Sequence, residues 1–274
     1  MKVLTLFTGI LFSTSALSVT APLGTIPEGY TKVEDSIGAA IYKNGNFYAV
    51  YVDLDISTIN LNNLESTGDY NEWGHANYVT MNLSEHWSKF SDYSTFALIN
   101  GQFFDHETDI TKSPVSYPLI ADTDIIQVTA PDPSLKTQSL YQTYDNKWFI
   151  TDGFSSNYSN KKNLLVGFDI TQSLGAGDLS WSKTIDRTYV GGIPKDCDQS
   201  TQTCYGVDKL VFLIGNNKNA NSMINEIKKW GIPNNLIIRL DGSDSTQLKS
   251  NIIDFDSSGN GARKIPHSIE VTKY

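Results

Sequence analysis

Polar, reactive side chains collect at two places where apolar stretches stop. Ala97-Leu98-Ile99 runs into Asn100-Gly101-Gln102-Phe103-Phe104-Asp105, and Leu236 to Leu240 runs into Asp241-Gly242-Ser243-Asp244-Ser245-Thr246. An amide at one end, and carboxylates with hydroxyls at the other, are the groups that orient a substrate and activate water. Buried strands fix their own ends, which suits such groups. Asn-Gly and Asp-Gly are also ordinary turn pairs. The four histidines, His75, His86, His106 and His267, are scattered with no metal spacing and receive no role. Asp254-Phe255-Asp256-Ser257-Ser258-Gly259 opens like a calcium loop, but Ile265 stands at the twelfth position, where a carboxylate is required. No metal or cofactor is expected. Cys197 and Cys204 are the two cysteines and read as a disulfide closing a small loop, worth roughly 2.5 kcal/mol in the chain-entropy view.

The elements that must position these groups follow from patterning. Leu210 to Ile214 reads as a strand. A helix follows with Met223, Ile224, Ile227 and Trp230 on one face, capped by Asn219 or Asn221 and ended by Gly231 and Pro233. Leu236 to Leu240 is the next strand. Strand, helix, strand at this length is a crossover unit if the strands are parallel, and it puts Asp241 at a strand's carboxyl end, where α/β sheets hold ligands. Upstream, Ile37–Lys43 and Phe47–Leu54 flank Asn44-Gly45 as a hairpin, and Ser139–Tyr144 with Lys147–Ile150 flank Asp145-Asn146 as another. Asn82 caps a helix through Glu85, with Leu83, Trp87 and Phe90 on one face. Thr95 to Ile99 is a short strand, residues 105–133 read as irregular, and 155–163 and 195–206 read as polar loops. The expected fold class is α+β, with mixed sheets, hairpins in the first half and one crossover near the C-terminus.

Lys2, the apolar run Val3 to Phe12 and the small-residue stretch ending at Ala21 have the order of a cleavable secretory signal. The expectation is a signal peptide over 1–21, one domain over 22–274, and a secreted or periplasmic location without membrane insertion. A formal charge of -9, with no basic run, argues against a nucleic-acid partner. Hydrophobic residues at 39% with five Trp suffice for a large core. Oligomeric state is not readable.

From about Thr95 to its end the chain resembles the phosphodiester glycosidase family. Ala97 to Asp105 is similar to that family's A-x-N-G-G-F-F block, and Arg187-Thr188-Tyr189-Val190-Gly191 to its R-x-x-x-G block. Leu240 to Thr246 resembles L-D-G-G-G-S-T, and Arg263-Lys264-Ile265-Pro266 the closing R-x-x-P. The chain departs at Gln102, Ser243 and Asp244, which stand where the family has glycine. The resemblance implies hydrolysis of the bond between a sugar's anomeric carbon and a phosphate oxygen, with a sugar-phosphate or glycan substrate. On it, Asp241 is the carboxylate, as base or nucleophile, and Arg187 is the phosphate clamp. Asn100 completes the catalytic set, with Gly101, Gln102, Gly242, Asp244, Ser245, Thr246 and Arg263 lining the substrate. Asp244 is a possible second carboxylate. Two other readings stay open: a catalytically silent carbohydrate- or phosphate-binding protein, and a secreted effector acting on another phosphodiester.

Overall fold

β-branched and aromatic runs dominate the chain, and strands follow from them. The computed structural model describes residues 24–104, 111–128, 131–154, 157–171, 183–198, 203–257 and 263–274, with side chains for all but 196–198 and 203–205. The leader-like stretch, Asp105, His106 and the Ser258–Gly259 step of the acidic loop lie outside the described residues.

The chain opens as a meander of β1 (Thr31–Ser36), β2 (Ala39–Asn44) and β3 (Phe47–Asp53). The expected hairpin is present, shifted by one residue: Asn44 pairs with Phe47, so Gly45 and Asn46 form the turn. Then come β4 (Ile59–Asn63), β5 (Ser66–Tyr70), β6 (Ala76–Val79), helix α1 (Leu83–Phe90) and β7 (Thr95–Asn100). Asn82 and Glu85 make the reciprocal capping box at the start of α1. The stretch read as irregular instead carries β8 (Lys112–Ser113), β9 (Leu119–Ala121) and β10 (Asp124–Gln127). The second hairpin is β11 (Thr137–Thr143) with β12 (Trp148–Asp152), turning through Asn146 at φ 61.

Two polar segments expected as loops contain strand residues. β13 (Lys161–Asp169) begins inside the first. The second includes the end of β14 (Ile185–Asp198) and the start of its antiparallel partner β15 (Thr203–Lys218). Its partner strand supplies the pairing that polar composition hides. The ladder sets Cys197 directly opposite Cys204. Opposed Cα atoms in an antiparallel ladder lie about 4.5–5.5 Å apart, within disulfide range. The protein denatured without reductant is therefore expected to show no titratable thiol; reactive thiols on both cysteines would refute the bridge.

Helix α2 (Ala220–Lys228) follows, then β16 (Ile237–Arg239), β17 (Gln247–Ser250), β18 (Asp254–Asp256) and β19 (Ser268–Thr272). Asn219 caps α2 by accepting from Ser222 N. β14 is antiparallel to both β15 and β16, so those two are parallel, and α2 is the crossover between them. Gly191 on β14 lets the helix side approach, because a Cβ there would lie 2.7 Å from Ile232 and 3.0 Å from Ile227.

The largest sheet closes on itself. β15 pairs β12, β12 pairs β11, β11 pairs β13, β13 pairs β16, β16 pairs β14, and β14 returns to β15, all antiparallel. The β1–β3 meander joins along β15, whose edge is shared between β3 and β12. A second sheet has the order β18-β17-β7-β19-β4 and a third β5-β6-β8. The fold is α+β and mainly β. One apolar cluster draws on both larger sheets, with Ala97, Ile99, Leu248 and Ile269 from the second packed among Val190, Phe212 and Ile238 of the first. α1 covers the other face of β7, setting Leu83 against Leu98 and Ile265. Strand β7 is thus buried on both faces, hence its unbroken apolar sequence.

Candidate active site

Asp241 stands two residues beyond β16. Leu240 continues the ladder, its N–H donating to Thr188 O at 3.0 Å, and Gly242 N–H donates to Asp241 Oδ1 at 2.8 Å. A short 3-10 turn, Ser243–Ser245, follows. Ser243 holds φ 58, the left-handed conformation that glycine adopts freely, so the turn is kept with a residue that tolerates it less well.

Asp241 lines a cavity of ≈ 190 Å³ whose wall also includes Phe103, Arg187, Tyr189, Arg239 and Arg263. Its carboxylate keeps partial access to water through this opening, while protein surrounds it otherwise. That burial raises its pKa to about 6, against the opposing pulls of Ser245, the Gly242 N–H and the charge of Arg239. Ser245 Oγ is buried without a hydrogen bond of ordinary geometry, so it acts on the carboxylate as a close dipole.

Several expected site residues serve the frame instead. Asn100 is fully buried and does not line the cavity. Its Nδ2 donates to the backbone oxygen of Asp241 at 2.9 Å, and its Oδ1 accepts from Thr188 Oγ1 at 2.6 Å and Gln247 N at 3.3 Å. It latches β7 to β14 and to the turn bearing the carboxylate. Gly101 makes room for His267: a Cβ there would sit 2.1 Å from Nδ1. Gln102 donates to Tyr117 O at 2.8 Å and accepts from Val166 N at 3.2 Å, so its side chain ties β13 to the turn and stays out of the cavity. Thr246 Oγ1 is buried without a partner among the described residues. Asp244 is exposed and off the wall, so it is not placed as a second carboxylate. Replacing Asn100 by Leu strands the Asp241 carbonyl and the Thr188 hydroxyl. A loss of about 1–3 kcal/mol is expected by chemical denaturation; an unchanged midpoint would mean the latch carries no weight.

The arginines differ in how they are held. Arg187 is buried, its Nε donating to Lys218 O at 2.7 Å and a terminal nitrogen to Lys183 O at 3.0 Å. Arg263 lies with its guanidinium 5.5 Å from the Phe104 ring centroid. Arg239, absent from the sequence reading, is buried with its guanidinium 5.5 Å from the centroid of Phe168. Its signal was available: a cation inside the apolar run Leu236 to Leu240. Gln247 was also missed. It accepts from Leu83 N at 2.8 Å and donates to Arg263 O at 2.9 Å, joining helix α1 to the cavity wall. His86 and His267 are buried frame residues, with Nε2 atoms 3.0 Å from Ile265 O and 3.1 Å from Leu61 O. Among the described residues no helix is long and apolar enough to cross a membrane.

No family model and no curated protein matches the chain. Among solved structures it is similar to a hypothetical protein from Synechocystis at 10% identity and TM-score 0.47, covering 89% of this chain and 61% of that one. It is also similar to a protein from Burkholderia pseudomallei named for presumed export, at 9% identity and TM-score 0.47, covering 85% and 74%. The chain thus spans 61% of the length of the Synechocystis protein.

Proposed function

We propose that the protein is an exported hydrolase that cleaves a glycosyl phosphodiester between the sugar's anomeric carbon and phosphate, with Asp241 as its working carboxylate. The observation that carries this is the make-up of the cavity: one carboxylate and three arginines line it. Ordinary glycosidases need two carboxyl groups, one to protonate a poor leaving group. A departing phosphate monoester, with its second pKa near ~6, needs little protonation but needs its charge stabilised. A single carboxylate among cations suits that case. The volume, ≈ 190 Å³, is below the roughly 300–1,000 Å³ of pockets for drug-sized ligands, so it accommodates the reacting group with the remainder outside. Export rests on the signal-like N-terminal sequence.

Asp241 acts as base or nucleophile only when ionised. With its pKa near 6, kcat/KM on a panel of glycosyl-1-phosphodiesters is expected to rise with pH through about 6 and then level. A rate that falls through that pH instead would make Asp241 a general acid. Absence of turnover on every member would favour the binding-protein reading.

A further inference from the structure

We propose that Arg263 is the anion anchor of the cavity, the side chain whose guanidinium holds a phosphoryl-type group of the ligand. This deepens the proposed function and takes from it only that the ligand carries a tetrahedral oxyanion. Three arginines line the cavity, and two of them are engaged within the protein. Arg187, the clamp expected from sequence, donates from Nε and a terminal nitrogen to the backbone oxygens of Lys218 and Lys183. Arg239 stands in one cross-strand row between Phe168 on β13 and Tyr189 on β14, and it too has partners in the protein. Those contacts make both of them pillars of the wall.

Arg263 is held the other way round, with its main chain fixed and its head uncommitted. Its N–H donates to Asp244 O at 3.2 Å, on the turn that follows Asp241, and its O accepts from Gln247 Nε2 at 2.9 Å. Two residues on, Ile265 and Met81 exchange both backbone bonds, at 2.8 and 3.0 Å. The guanidinium lies 5.5 Å from the Phe104 ring centroid and makes no hydrogen bond or ion pair among the described residues. It is partly buried, and that burial holds its pKa below the usual arginine value. Arginine keeps its charge even so. A cation that has lost water without gaining a partner carries a free-energy cost, and a bound anion offsets it. The aromatic face steadies the guanidinium plane, and a planar fork matches two oxygens of a tetrahedral anion.

Sulfate is the probe, measured by calorimetry at low ionic strength, where screening is weak. The natural protein is expected to bind it. Arg263→Gln should lose at least about tenfold in affinity, and Arg263→Lys, which keeps the charge without the fork, should fall between. The melting temperature of Arg263→Gln should stay close to the natural value, because the side chain makes no bond that the variant would break. On a phosphodiester that is turned over, Arg263→Gln should raise KM about tenfold and nearly keep kcat, the pattern of lost ground-state binding. A natural protein that binds no sulfate, or an Arg263→Gln variant that binds it undiminished, would overturn the assignment. If Arg263→Gln does not fold, the Lys variant decides: weakened sulfate binding supports the anchor, and unchanged binding removes it. Sulfate binding that depends on Arg263, without turnover of any phosphodiester, leaves this inference standing and removes the hydrolase. Turnover with KM unchanged in Arg263→Gln does the reverse.

Discussion

Asp241→Asn is expected to lose turnover by ~10²–10⁴-fold, the range for removal of a positioned base, and to become more stable at neutral pH. The second effect follows from the pKa. An ordinary aspartate titrates at 3.8, and Asp241 in the folded protein at about 6. Between those values the native state holds a proton that the unfolded chain has released, so stability falls as pH rises from about 4 to about 6. At pH 7 the carboxylate is ionised in a setting that disfavours the charge, at a cost on the order of 1–3 kcal/mol. Asparagine keeps the acceptor for Gly242 N–H and carries no charge. The variant should therefore melt several degrees higher at pH 7 and match the natural protein near pH 4. A variant that is inactive and less stable at pH 7 would mean the carboxylate is a structural partner, contrary to the role given to it here.

The buried histidine pair sets the opposite trend. His267 is almost fully buried, its Nδ1 has no hydrogen-bond partner among the described residues, and burial with the nearby His86 lowers its pKa from 6.5 to about 3. In the unfolded chain it binds a proton below about 6.5, while the folded protein refuses it down to about 3. Its contribution is complete above 6.5 and is lost as pH falls toward 3, on the order of 3–5 kcal/mol in all. Across the window from about 4 to 6 this loss and the Asp241 gain oppose each other. Asp241→Asn, lacking the opposing contribution, should decline more steeply on acidification than the natural protein. Urea unfolding of both proteins at several pH values checks this, and parallel curves would refute it. A ring-proton titration that finds His267 charged in the folded protein at pH 5 would remove the basis of the prediction.

What the sequence disclosed divides by the range of the interactions. The α1 capping box, the α2 apolar face, both hairpins and the end of β16 depend on neighbours a few residues away, and each was readable. β13 was not, because Lys161 and Asn163 look like loop residues. In the fold Lys161 lies over the Tyr141 ring, and Asn163 donates to Gln142 and accepts from Asp122 N. Those partners come from β11 and from the turn between β9 and β10, and leave no local pattern. The same limit applies at the cavity. Asp241, Arg187 and Arg263 were named from their sequence blocks and do meet there, whereas the Phe168–Arg239–Tyr189 row depends on register across three strands. Asn100 and Gln102 stood in a site-like block, yet their side chains are consumed by backbone atoms and, for Asn100, also by the Thr188 hydroxyl.

The Asn100 latch has a bearing on what this framework can become. It grips the main-chain oxygen of Asp241 and makes no demand on the side chain. The carboxylate's own bond to the turn is a separate one, accepted from Gly242 N–H. Glutamate, serine or cysteine at position 241 would meet the same latch, on the same turn, beside the same arginines. Asn100 thus holds the main chain at position 241 through an atom that every residue type carries.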